Sequence, residues 1–197
     1  MVKLQQTNRR IYYIHSYTPK RYWKFHREDE IYHSKLMLSY KDCIPEAIEI
    51  YTDELMQAIA QISKTITADA IGLVAVPPSK ANKQSAIKES IHIITAAYTI
   101  GTFQKQYGCS KQIYDYGNLL MRYKDIPTAH EGYRPNYDEQ YNSICCIRGD
   151  LSKDNIAFLI LDDVTTNGIS MQVCRDILID HGVDKKSIRR LAISKTG

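Results

Sequence analysis

The chain has 197 residues, of which 44% are apolar and 24% charged, and carries a formal net charge of +4. That fits one globular domain with a sizeable core, and no apolar run approaches the roughly 18 residues of a membrane helix. The charge is mild and spread along the chain, unlike the concentrated basic stripe of most nucleic-acid binders.

The five cysteines include no Cys-x-x-Cys pair, so reduced thiols are expected and a zinc site is not. Residues Met1 to Arg10 lack the apolar centre of a signal peptide, and a cytoplasmic protein is expected. Fifteen tyrosines stand against three phenylalanines and one tryptophan. Either they serve a partly wet pocket or interface, or Tyr simply replaces Phe at half-buried positions.

In chain order, Arg10 to Tyr17 is β-branched and aromatic and reads as a strand stopped by Pro19. Ile31 to Tyr40 reads as a second. Between them Lys20 to Arg27 mixes cations with aromatics. It is either a base-stacking or acid-holding segment or an exposed amphipathic connection. Pro45 opens an amphipathic helix with Ile48, Tyr51, Leu55, Ile59 and Ile62 on one face.

Ile71 to Val76 is a buried parallel strand, ending at Pro77-Pro78-Ser79-Lys80. Ser85 caps a helix carrying Ile87, Ile91, Ile94 and Tyr98, with Gly101 near its end. Ile113 to Met121 holds a short strand or helix. Residues 122–136, polar with two prolines and a glycine, read as a long mobile loop, either a functional lid or a disordered segment. Tyr141 to Ile147 is a returning strand, Ile156 begins another, and Ile188 to Ser194 is the last.

The alternation from Pro45 onward predicts an α/β fold, a parallel sheet flanked by helices. The expected organisation is a small β-rich N-terminal hood over 1–44 and an α/β core over 45–197.

The most informative stretch is Phe158 to Ser170. Four apolar residues end on Asp162 and Asp163. A loop of Val164, Thr165, Thr166, Asn167, Gly168 and Ile169 follows, and Ser170 opens a helix that stops near Gly182. The carboxylates accept hydrogen bonds from a vicinal diol and hold Mg²⁺ directly or through water. The loop hydroxyls and N–H groups suit a phosphate, and Gly168 permits close backbone approach. A Walker B reading fails for want of a Gly-x-x-x-x-Gly-Lys-Ser/Thr partner, whereas a plain solvated turn with a helix cap stays open.

This stretch resembles the phosphoribosyl-pyrophosphate (PRPP) motif of type I phosphoribosyltransferases. Residues 118–124 with Arg134-Pro135-Asn136 are similar to the ComF-type branch, although its N-terminal zinc-ribbon cysteines are missing. The resemblance covers about residues 70–197. It implies a phosphoribosyltransferase-like core, a PRPP ligand, a Mg²⁺ cofactor, and transfer of phosphoribosyl to a nitrogen acceptor with release of pyrophosphate.

By the same resemblance Asp162 and Asp163 are the catalytic pair on the ribose and metal, and Thr165 to Ser170 hold the 5′-phosphate. Ser79 and Lys80 face the pyrophosphate, and Arg122, Lys124 and Arg134 reach it from the lid. Homodimers are common in that family. Ser194 to Gly197 are too few for a base pocket, so Tyr12, Tyr13, Tyr22 and Trp23 of the hood are the stacking candidates. Two other readings stand beside the transferase, a non-catalytic PRPP or nucleotide sensor and a nucleic-acid-handling accessory factor using Lys20 to Arg27.

Overall fold

The computed structural model describes residues 1–127, 136–152 and 155–196. The chain runs β1 (Gln5–Gln6), β2 (Tyr12–Tyr17), a 3-10 turn (Lys20–Phe25), α1 (Glu28–Lys41), α2 (Pro45–Ser63) and β3 (Ala70–Ala75). It continues through α3 (Ala86–Thr99), α4 (Thr102–Tyr107), β4 (Gln112–Asp115), β5 (Leu120–Arg122), α5 (Tyr137–Tyr141) and β6 (Ile144–Cys146). It closes with β7 (Ala157–Thr165), α6 (Ile169–Asp180), a 3-10 turn (Lys185–Ser187) and β8 (Ile188–Thr196).

Six strands form one sheet in the order β1-β2-β8-β7-β3-β4, and β5 pairs separately with β6. Among the described residues only β1 runs antiparallel in the larger sheet; the other neighbours are parallel. β3 is buried along its length and β7 over its first five residues, as strands covered on both faces must be.

Alternation sends Leu159 and Leu161 to one face, against Leu55 and Ile59 of α2 and Ile87 and Ile91 of α3. Phe158 and Ile160 go to the other, against Val173, Cys174 and Ile177 of α6. The expected parallel sheet between helices is therefore the architecture observed, and no helix among the described residues is long and apolar enough to cross a membrane.

The N-terminal segment differs from expectation. There is no separate β-rich hood, because β2 is itself a strand of the main sheet, with Tyr12 opposite Leu191 and Tyr17 opposite Thr196. Ile31 to Tyr40 is not a strand but most of α1. Its buried residues Ile31, Ser34, Met37 and Tyr40 recur every three positions, a helical spacing that its aromatic content masks. Glu28, Asp29 and Glu30 occupy the first turn, where carboxylates complement the helix dipole, and Glu30 Oε2 accepts the Arg27 N–H at 3.2 Å.

The stretch 122–136 differs too. Arg122 closes β5, Tyr123 N–H donates to Ser143 O at 3.0 Å, and Ile126 N–H to Ser79 O at 3.0 Å. The beginning of the expected lid is thus pinned to the core, and residues 128–135 of it lie outside the described residues.

Candidate functional site

The strand order reverses between β3 and β7. From β3 the chain goes through α3 to β4 on one side, and from β7 through α6 to β8 on the other. Those helices lie on opposite faces, so neither connection covers the carboxyl ends of the two central strands. An open α/β sheet leaves its ligand crevice at such a point. A cavity of about 370 Å³ occupies it, lined by Val76 to Ser79 after β3, by Asp162 and Asp163 near the end of β7, by Thr166, Asn167 and Ser170 beyond it, and by Lys41, Lys83 and Arg122.

The acidic pair splits as strand alternation requires. Asp163 turns toward α1, its Oδ2 3.5 Å from Lys41 Nζ. Asp162 raises the pKa of the Cys174 thiol on α6, adding to the larger effect of burial there. Burial first, then the Asp163 carboxylate, push the Asp162 carboxyl well above the ordinary range, with Lys41 opposing them. Burial alone would lower the pKa of Lys41, but the Asp163 and Asp162 carboxylates outweigh it and shift it upward. The site thus holds two acids and a cation that ligand groups can displace or join.

The loop after β7 is shaped for close approach. Gly168 sits at φ +77°, and a Cβ there would come within 2.5 Å of Ile11 Cδ1, so both conformation and space select glycine. Asn167 Oδ1 accepts the Ile169 N–H at 3.1 Å, and Arg9 Nη1 donates to Asn167 O at 2.7 Å. The N–H groups of Thr166, Gly168 and Ser170 have no protein acceptor among the described residues. With the N-terminus of α6 they form a concavity suited to an anion.

Opposite lies the Pro77–Ser79 turn. Arg122 holds it, Nε donating to Pro78 O at 2.6 Å and Nη1 to the Ser143 hydroxyl. Arg122 is only 5% exposed. Burial lowers the pKa of its guanidinium, which stays charged nonetheless.

The residues read from sequence scatter accordingly. Asp162, Asp163, Thr166, Asn167, Ser170 and Ser79 converge on the cavity. Thr165 is buried at the end of β7, while Gly168 and Ile169 shape the loop without lining the cavity. Lys80 and Lys124 are exposed and off its wall. Arg122 lines it from a buried brace instead of a lid, and Arg134 lies outside the described residues. Tyr12, Tyr13, Tyr22 and Trp23 do not line it.

Two cations were not anticipated, Lys41 and Lys83. A helical reading of 31–41 would have made Lys41 a candidate only with the tertiary fold in hand. Lys83 sits one turn beyond Ser79-Lys80, its N–H donating to Lys80 O at 3.2 Å.

Comparison with protein-family models finds no matching family, and comparison with curated proteins finds no relative.

Proposed function

We propose that the crevice between β3 and β7 binds PRPP or a closely related ribose phosphate, and that the protein is a phosphoribosyltransferase of the type I kind. The observation that supports this most is the convergence on one cavity of Asp162, Asp163, the phosphate-suited loop and the Pro77–Ser79 turn. These groups come from two strands about 85 residues apart, yet they meet where such sheets bind ligands.

In this reading the loop N–H groups and the Thr166 and Ser170 hydroxyls hold the 5′-phosphate. Asp162 and Asp163 accept hydrogen bonds from the ribose diol. Ser79, with Lys83 in place of the exposed Lys80, faces the pyrophosphate. The carboxylate oxygens are hard donors of the kind Mg²⁺ takes, and the ion would supply charge neutralisation at the departing pyrophosphate.

The reaction forms a bond from an acceptor nitrogen to the anomeric carbon. The bond from that carbon to the pyrophosphate oxygen breaks, and the nitrogen's proton passes to solvent. The protein's part is to position the partners and stabilise charge.

A non-catalytic PRPP sensor is the second reading, favoured by one fact: none of the N-terminal aromatics proposed to stack on an acceptor base lines the cavity. Calorimetry with PRPP and Mg²⁺, beside pyrophosphate release over a panel of nucleobases, separates the two. Binding with turnover is expected for the transferase; binding without turnover across the panel leaves the sensor, and absence of binding overturns both. The Asp162→Asn/Asp163→Asn double variant should lose PRPP binding while keeping its circular dichroism spectrum, and unchanged affinity would refute the assigned roles.

A further inference from the structure

Away from the lining of the crevice, three polar side chains from three elements crowd together. His15 projects from β2, His33 from α1 and Glu54 from α2. One nitrogen from each imidazole and one carboxylate oxygen lie within 4.8 Å of one another. His15 Nε2 is 2.8 Å from Glu54 Oε2, and the two rings stack with centroids 3.5 Å apart at 17°. His33 Nδ1 is buried with no hydrogen-bond partner. A buried orphan nitrogen calls for an explanation, since nearly all such groups in folded proteins are satisfied.

We infer that His15, His33 and Glu54 form a binding site for a divalent transition-metal ion, Zn²⁺ being the best match. Two imidazoles and one carboxylate make a borderline donor set with a single negative charge, the composition of known three-ligand zinc sites with an open fourth position. Such a set discriminates against Mg²⁺, which takes oxygen ligands in an octahedron.

The stacked rings are too nearly parallel for one ion to sit in both ring planes. Binding therefore turns one ring about its Cβ–Cγ bond, and the His15–Glu54 hydrogen bond gives way to two metal bonds. His15 and Glu54 also line a cleft of about 980 Å³ rimmed by Glu49, Asp53 and Glu89, so the open position faces that cleft. Tyr51 of α2 donates to His33 O at 2.8 Å, holding α1 at the right distance from α2 for both helices to contribute.

The test is calorimetric titration of chelator-treated full-length protein with ZnCl₂, with Co²⁺ absorption as a second readout. One equivalent should bind, Mg²⁺ should not compete, and the Co²⁺ form should show d–d bands without a thiolate charge-transfer band. His33→Ala and the near-isosteric Glu54→Gln should each weaken binding at least about tenfold, with Glu54→Gln keeping the measurement valid where His33→Ala fails to fold. A Cys145→Ser/Cys146→Ser variant should bind as the parent does. Absence of stoichiometric Zn²⁺ binding, ligand variants that bind like the parent, or a thiolate band abolished in the cysteine variant would each overturn the site.

Discussion

Asp162 is the crevice carboxyl whose ionisation the folded environment opposes. Burial and a neighbouring like charge make it hold its proton more tightly folded than unfolded. Ionising it as pH rises therefore costs stability, a loss that sets in above the unfolded carboxylate pKa and is complete above the raised folded value. Asp162→Asn should accordingly raise the melting temperature, by more in alkaline than in acidic buffer, while weakening PRPP binding. A gain independent of pH would mean the carboxyl is not the strained group. Functional sites often carry such a cost in stability.

Gly168 gives a second residue-level test. Alanine at φ +77° costs about 1–2 kcal/mol from the backbone alone, and contact with Ile11 adds to it. Gly168→Ala should lower the denaturation midpoint and loosen phosphate binding together. Affinity unchanged at full stability would show that the loop tolerates another path.

At the scale of elements, the crevice depends on β5, which belongs to no part of the main sheet. Its Arg122 joins the Pro77–Ser79 turn to Ser143 beside β6. Hydrogen bonds from a charged donor are worth about 1.5–3 kcal/mol each when the partners are otherwise left unmet. Arg122→Met should destabilise by about that amount and reduce pyrophosphate affinity. Arg122→Lys should restore little, since one ammonium cannot match the fork. A loss of affinity without any loss of stability would instead place Arg122 on the ligand.

Helix α1 has a comparable reach. It carries His33 toward α2 and Lys41 toward Asp163, eight residues apart or about 12 Å along the axis. The two candidate sites thus share one rigid element.

For the whole molecule, the ligand should act as a clamp across the sheet. A ligand at a hundred times its Kd adds about 2.7 kcal/mol to stability. Hydrogen exchange should slow at 76–81 and 164–170 together, and at the end of α1, because the cavity joins all three. Protection limited to a single loop would argue against one ligand spanning the reversal point.

Much of the architecture was legible locally. The runs at 71–76 and 157–161 are apolar without interruption, the helix from Pro45 has a clear period, and the Asp162 to Ser170 stretch joins strand to helix in a recognisable order. Composition misled at Ile31 to Tyr40, where aromatic and branched residues read as a strand although burial follows a helical spacing. The lid reading failed at Arg122 because polarity and prolines signal irregular backbone, not whether it is pinned.

By itself the sequence determined which segments become strands and helices over most of the α/β core and where an acidic pair and a phosphate-suited loop stand along the chain, since those follow from side-chain period and local turn chemistry. Only the tertiary structure decided that β3 and β7 are neighbours at a reversal of strand order. It alone brought Lys41 to Asp163, turned Arg122 inward, and gathered His15, His33 and Glu54. Such contacts join residues tens of positions apart, and which of them form is set by how the helices pack on the sheet, which no local pattern encodes.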